Sequence, residues 1–186
     1  MRIVAGIHRG RALTSVGKGD AGAHLRPTTD RVRESLFGML TGGRFGDPVT
    51  DAHVLDLFAG TGALGLEALS RGAAHVTFAD SGRKAQTLIR QNIDLLRAGA
   101  QTTLIPRDAR RLPPAPHPAD LIFLDPPYGK SLGAAALASA QIQGWIAPGA
   151  LIVWEESAPQ APPEGYELLE TRAYGDSHVT ILTAED

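Results

Sequence analysis

The sequence predicts an α/β protein built on a doubly wound, mostly parallel sheet, and three observations lead there. From residue 54 onward, short apolar runs of strand character alternate with longer segments whose apolar residues recur at helical spacing. That alternation places helices on both faces of a parallel sheet. Four successive strand ends carry an aspartate, at Asp56, Asp80, Asp108 and Asp125, and ligands of such sheets lie beyond the carboxyl ends of the strands. The tail instead holds two alternating runs around Ala173-Tyr174-Gly175-Asp176, which predicts an antiparallel hairpin closing one sheet edge.

Taken in order, residues 3–5 and 11–14 flank a turn over 6–10 and predict a small hairpin. Residues 15–23 are glycine-rich, and mobility there would suit an element that orders on a partner. Thr28 or Thr29 caps a helix through about residue 40, with Val32, Leu36 and Leu40 on the core face and Arg31 and Arg33 projecting elsewhere. Strands follow over 54–58, 75–79, 102–105, 121–124 and 150–154, with helices over 63–71, 83–97 and 132–143 between them. Strands over 166–171 and 178–183 form the terminal hairpin, where His178 is expected to be packed or surface-paired. The proline-rich stretch 113–118 reads as a rigid connector.

A chain of 186 residues with 43% hydrophobic content suffices for one well-buried domain with a small appendage, not two full domains. The expected division is a basic hairpin-and-helix extension over 1–45 and a catalytic domain over 46–186. No run of eighteen apolar residues and no signal-peptide core is present, so a cytoplasmic protein without a membrane partner is expected. Zero cysteines exclude disulfides and any cysteine nucleophile, and the histidines lack ligand spacing, so no metal is expected. Nothing suggests a dedicated dimer interface, and a monomer is the expectation.

Net charge is −2, yet it is unevenly spread. Residues 1–34 hold seven Arg or Lys against three acids, so the remainder is strongly acidic. A basic front end on an acidic domain is what a clamp on a phosphate backbone requires, and a solvated surface arm is the plainer alternative. Arg9, Arg11, Arg26, Arg31 and Arg33 are the candidate RNA contacts.

The turn Asp56-Leu57-Phe58-Ala59-Gly60-Thr61-Gly62 continues to Gly65 and satisfies the G-x-G-x-x-G spacing of dinucleotide sites. Asp56 argues against a dinucleotide, because its charge would oppose a pyrophosphate. S-adenosylmethionine has no phosphate but carries an ammonium and a sulfonium. An acid beside the turn then attracts, by roughly 1.5–3 kcal/mol for a charge-assisted hydrogen bond. The glycines let backbone approach the ligand closely. Asp80 would accept from ribose hydroxyls and Asp108 from the adenine amine, with the Ala109 amide donating to a ring nitrogen; acids ending strands also serve as turn or cap residues.

Asp125-Pro126-Pro127-Tyr128 closes the apolar run 121–124 and points to methyl transfer onto an exocyclic amine. Such a nitrogen is a poor nucleophile, because its lone pair is delocalised into the ring. The Asp125 carboxylate and the Pro126 carbonyl could each accept one of its N–H bonds, localising and aiming the lone pair. Consecutive prolines stiffen the loop in advance, and Tyr128 offers a face on which a displaced base stacks.

Arg2-Ile3-Val4-Ala5-Gly6 with Gly10-Arg11, the stretch from Arg26-Pro27-Thr28-Thr29 to Phe37, the glycine turn, Asp125-Pro126-Pro127-Tyr128 and Tyr174-Gly175-Asp176-Ser177 together resemble the RsmD family of 16S rRNA guanine-N2 methyltransferases. The resemblance spans residue 2 to about residue 182, and the Arg-Pro-Thr stretch is its specific part. It implies a Rossmann-like class I methyltransferase fold with a seven-stranded sheet, S-adenosylmethionine as cofactor, and 16S rRNA or an assembling small ribosomal subunit as partner. It further implies catalytic roles at Asp125, Pro126, Pro127 and Tyr128. Cofactor contacts are implied at Asp56, Phe58, Ala59, Gly60, Thr61 and Gly62, and at Asp80, Asp108, Ala109 and Asp125. Asp80 stands where the family usually has Glu, one methylene longer. Alternatives are adenine-N6 transfer, a dinucleotide-dependent oxidoreductase, and a non-catalytic RNA-binding assembly factor.

Overall fold

The computed structural model describes residues 1–16 and 28–186. The glycine-rich segment beyond residue 16, and Arg26 with it, lies outside the described residues.

Seven strands form one sheet: β1 (His53–Leu57), β2 (His75–Ala79), β3 (Thr102–Ile105), β4 (Ala119–Leu124), β5 (Ile146–Glu156), β6 (Tyr166–Tyr174) and β7 (Ser177–Ala184). Their spatial order is β3-β2-β1-β4-β5-β7-β6. β1 to β5 are parallel, whereas β7 runs antiparallel between β5 and β6. The chain winds outward from β1 to β3, then resumes on the other side of β1 at β4. That reversal opens a crevice at the carboxyl ends of β1 and β4.

Period-2 alternation divides the strand side chains between two cores. Val54, Val76, Phe78, Leu121 and Phe123 pack on one face with α1 (Asp30–Leu40), α2 (Ala63–Ser70) and α3 (Arg83–Leu95). Leu55, Leu57, Ile122 and Leu124 pack on the other with Ala136, Leu137 and Ala140 of α4 (Leu132–Ile142). The inner strands are buried on both faces, which is why they read as continuous apolar runs. Helix α2 is buried at all eight positions, and Gly65 allows it: a Cβ there would lie 2.5 Å from Phe78 and 2.7 Å from Val76.

The amino-terminal hairpin is present as an Arg2–Ala12 bridge, with the Ile3 amide donating to the Arg11 carbonyl at 2.9 Å. Ile3 and Leu13 join the same core as α1, α2 and α3. Two buried polar side chains fasten it. Glu67 of α2 accepts the Val4 and Ala5 amides at 2.8 and 3.0 Å and pairs with Arg71 at 2.8 Å. Asn92 of α3 accepts the Thr14 amide and donates to the Thr14 and Thr61 carbonyls, which joins the hairpin to the glycine turn.

Thr29 caps α1, its hydroxyl accepting the Val32 amide at 3.3 Å. The helix is turned from the expected orientation. Leu36 and Leu40 are buried as expected, but Val32 lines the cleft instead of facing the core. Arg33 does not project outward: it is fully buried, pairs with Asp30 at 2.8 Å and donates to the Arg2 carbonyl. The apolar stripe alone misassigns this helix because a guanidinium supplied with acceptors, here Asp30 and the distant Arg2 carbonyl, can occupy a core position.

β5 extends past the expected 150–154 because β4 and β7 pair along both its edges. Among the described residues, no helix is long and apolar enough to cross a membrane.

Candidate active site

A cleft of about 730 Å³ opens at the switch point, and it gathers most of the sequence-selected residues. The glycine turn forms its base, with Phe58, Ala59, Gly60 and Thr61 on the lining. Phe58 has φ of 58° and Gly60 of 60°, so the chain reverses sharply after β1. Gly62 follows in the same left-handed region at the start of α2, a conformation that glycine adopts without a steric penalty.

Asp56 sits beneath this turn, 1% exposed, its Oδ2 accepting the Gly65 amide at 3.0 Å. Burial pushes its carboxyl up to about 7, helped by the nearby charge of Asp80 and opposed by the Gly65 hydrogen bond. Asp80 is held from two sides, accepting the Gly60 amide at 2.9 Å and the Gly82 amide at 2.8 Å. Burial raises its pKa too, while those two amides pull it down. Each Asp80 oxygen is thereby fixed by one backbone amide, with acceptor capacity remaining.

Asp108 also lines the cleft, but Arg110 grips both its oxygens, at 3.0 and 3.1 Å from Nε and 2.6 Å from Nη2. Those hydrogen bonds hold its pKa below the usual carboxylate range. Accepting from an adenine amine would require sharing or displacing that fork. Ala109 is buried within the core on the α4 face.

Beside the glycine turn, at the end of the neighbouring strand β4, lie Asp125, Pro126, Pro127 and Tyr128, all on the cleft lining. The Asp125 amide reaches the Leu57 carbonyl at 3.5 Å, tying the end of β4 to the end of β1. The Tyr128 hydroxyl donates to Glu155 Oε1 at 2.9 Å. Burial first, and then the Glu155 charge, push the Tyr128 hydroxyl pKa upward, so it remains a donor. Thr28, Thr29 and Val32 of the α1 end complete one wall, and Tyr174 and Ser177 of the terminal hairpin another.

Among the RNA candidates, Arg9, Arg11 and Arg31 are exposed, Arg33 is buried, and Arg26 is outside the described residues. Sequence reasoning missed Glu155 and Arg110. Glu155 was legible only as the residue following an apolar strand, the same signal that singled out the four aspartates. Among the described residues, no group of three acids, histidines or cysteines is placed to hold a metal.

The cleft suits S-adenosylmethionine. Asp56 is a buried acid that the described residues hold only by a backbone amide, and it presents an acceptor where a cationic ligand would lie. Asp80 offers acceptors suited to a diol.

A family model described as Conserved hypothetical protein 95 matches residues 1–183. The Ribosomal RNA small subunit methyltransferase D of Escherichia coli strain K12 is 37% identical over 163 residues, 88% of this chain and 78% of that protein. The protein of the same name from Haemophilus influenzae is 33% identical over 181 residues, 94% and 89% of the two chains. Among solved structures, the Escherichia coli protein yhhF has a TM-score of 0.82 at 34% identity, with 100% of this chain and 98% of that chain covered.

Proposed function

The chain belongs to the Conserved hypothetical protein 95 family, and from that premise we propose that it methylates the exocyclic N2 amine of a guanine in small-subunit rRNA. It is an S-adenosylmethionine-dependent RNA methyltransferase, as the family, its rRNA methyltransferase relatives and the seven-stranded fold indicate. The observation that supports the amine as acceptor is the placement of Asp125 and Pro126 on the lining of the cleft, at the end of the strand next to the one that leads into the glycine turn.

When bound, S-adenosylmethionine would supply an electrophilic methyl group at its sulfonium for direct transfer to the amine nitrogen, with no covalent enzyme intermediate needed. Asp56 and the glycine turn hold the cationic end, and Asp80 takes the ribose hydroxyls. Asp108 would accept from the adenine amine if Arg110 shared or released its oxygens, and the Ala109 amide would donate to the ring. Asp125 and the Pro126 carbonyl accept from the two N–H bonds of the target amine and direct its lone pair. Asp125 is an orienting acceptor; the amine proton becomes acidic as the new bond forms and leaves to water. Pro127 stiffens the loop, and Tyr128 stacks on a base turned out of its helix, a displacement costing a few kcal/mol. Arg9, Arg11, Arg26 and Arg31 contact phosphates and offset that cost, within the basic extension over 1–45 that borders the catalytic domain over 46–186. Arg33 orders this extension from inside.

Transfer of labelled methyl to small-subunit particles lacking base methylation, followed by nucleoside identification, tests the reading. N2-methylguanosine is expected; N6-methyladenosine would keep the chemistry and overturn the base. Asp125→Ala should abolish transfer while cofactor affinity stays nearly intact, and a comparable loss of cofactor binding would refute its assigned role.

A further inference from the structure

Glu155 stands one strand over from the amine-orienting carboxylate. Leu124 of β4 and Trp154 of β5 are parallel partners, so Asp125 and Glu155 are the next residues on neighbouring strands, whose spacing is about 4.8 Å. They share a sheet face, and both line the cleft. The Tyr128 hydroxyl donates to Glu155 Oε1, which fixes the orientation of the carboxylate and leaves it capacity for a further donor. Nothing in the amine-orienting chemistry requires a second acid here.

The two candidate bases differ at this point. Beside its N2 amine, guanine carries N1–H, a donor; beside its N6 amine, adenine carries N1 as a lone-pair acceptor. A carboxylate accepts and does not donate. It therefore pairs with the guanine edge and opposes the adenine edge, leaving a buried acceptor facing another acceptor. We propose that Glu155 is the specificity-determining residue of the base pocket, its carboxylate accepting N1–H of the guanine whose N2 amine Asp125 orients. Tyr128 has a second function beside stacking, as the positioning residue that holds Glu155. This inference rests on the guanine reading given above.

The test uses small-subunit particles reconstituted around rRNA with 2-aminopurine in place of the target guanine. That base keeps the N2 amine but has a lone pair at N1. The wild-type protein should favour guanine by about 100-fold in kcat/KM, the scale of a lost hydrogen bond to a charged group. Because 2-aminopurine also lacks O6, the variant decides. Glu155→Gln can turn an amide N–H toward that lone pair, and the preference for guanine should fall by about tenfold or more. Tyr128→Phe should slow transfer to both bases and leave more of the preference intact. Calorimetry should show S-adenosylmethionine binding to Glu155→Gln within about twofold of wild type, since Glu155 faces the base. Equal losses on both bases, with the preference unchanged, would overturn the proposal and leave Glu155 as a support for Tyr128. Equal use of guanine and 2-aminopurine by the wild-type protein would overturn it without any variant. Failure of the guanine reading looks different: no label, or label in N6-methyladenosine, on unmodified particles.

Discussion

Replacing Asp56 by Asn tests whether the buried acid beneath the glycine turn is a cation site held at a cost to stability. The substitution keeps the shape and an oxygen for the Gly65 amide, and it removes the charge. Burial holds the Asp56 carboxyl at about 7 against an ordinary value of 3.8. Between those values the folded protein carries a proton that the unfolded chain has released. This group's contribution to stability is therefore fully present below about pH 4 and is lost as pH rises through 7. The gap between the two values corresponds to about 4 kcal/mol. For a domain of this size each kcal/mol moves Tm by about 2–4 °C, so the Asp56→Asn variant should melt roughly 8–16 °C above wild type at pH 8 and close to it at pH 4.

Cofactor binding should move oppositely. A cationic ligand prefers the ionised carboxylate, so wild-type affinity should weaken about tenfold for each pH unit below 7. Above about pH 8 the ligand's own α-amino group loses its proton, and affinity should fall again. Isothermal calorimetry at pH 5, 6, 7 and 8, in buffers of differing ionisation enthalpy, reads both the affinity and the proton released on binding. In Asp56→Asn the acid limb should vanish, and binding at pH 8 should be weaker by about 1.5–3 kcal/mol, the worth of a charge-assisted hydrogen bond. Persistence of the acid limb would assign the titration to Asp80, whose pKa is raised as well. Unchanged affinity at pH 8 would remove Asp56 from the cofactor site altogether.

Glu67→Ala should cost about 3–5 kcal/mol in urea unfolding, because it strands the half-buried Val4 and Ala5 amides and frees Arg71 from its buried partner; a loss under 1 kcal/mol would show the hairpin to be held by Ile3 and Leu13 alone. Gly133→Ala should destabilise by about 1–3 kcal/mol, since its Cβ would lie 2.5 Å from the buried Trp154 ring, and thermal melting equal to wild type would contradict that packing. Arg110→Ala should leave S-adenosylmethionine affinity within about fivefold of wild type, because the guanidinium occupies acceptors that the cofactor would use and an exposed ion pair contributes little. A larger loss by calorimetry would make Arg110 itself a ligand contact.

The sheet was legible because its strands are buried on both faces, and such strands announce themselves as apolar runs between turn residues. β2 and β3 start and end where the sequence places them. Boundaries drifted where pairing overrides local pattern, as in β5, whose Pro-Gly amino end and Glu-Glu carboxyl end are ordered by β4 and β7. The cleft residues were legible for a related reason: chemistry at strand ends requires polar side chains just where apolar runs stop. Arg33 and Asn92 escaped because their acceptors include Arg2 and Thr14, and no local window sees a partner 31 or 78 residues away.

Two buried acids show how sequence and site divide the work. Glu67 occurs in the helix ALGLEALS, among residues otherwise small or apolar, with Arg71 one turn later. An acid so placed must find donors from outside its helix, and the hairpin amides supply them. Asp56 is buried as deeply, yet among the described residues its contacts are one backbone amide and the repulsive charge of Asp80. Both acids are closed off from water, but only Glu67 has its charge balanced by the chain. A fold that tolerates the other at a cost of several kcal/mol leaves the balancing cation to whatever enters the cleft, and in the proposed function the sulfonium and ammonium of one ligand would supply it. Strain of this kind concentrates at sites selected for function over stability, which is why the acid least favourable to the empty protein is the one most informative about its cofactor.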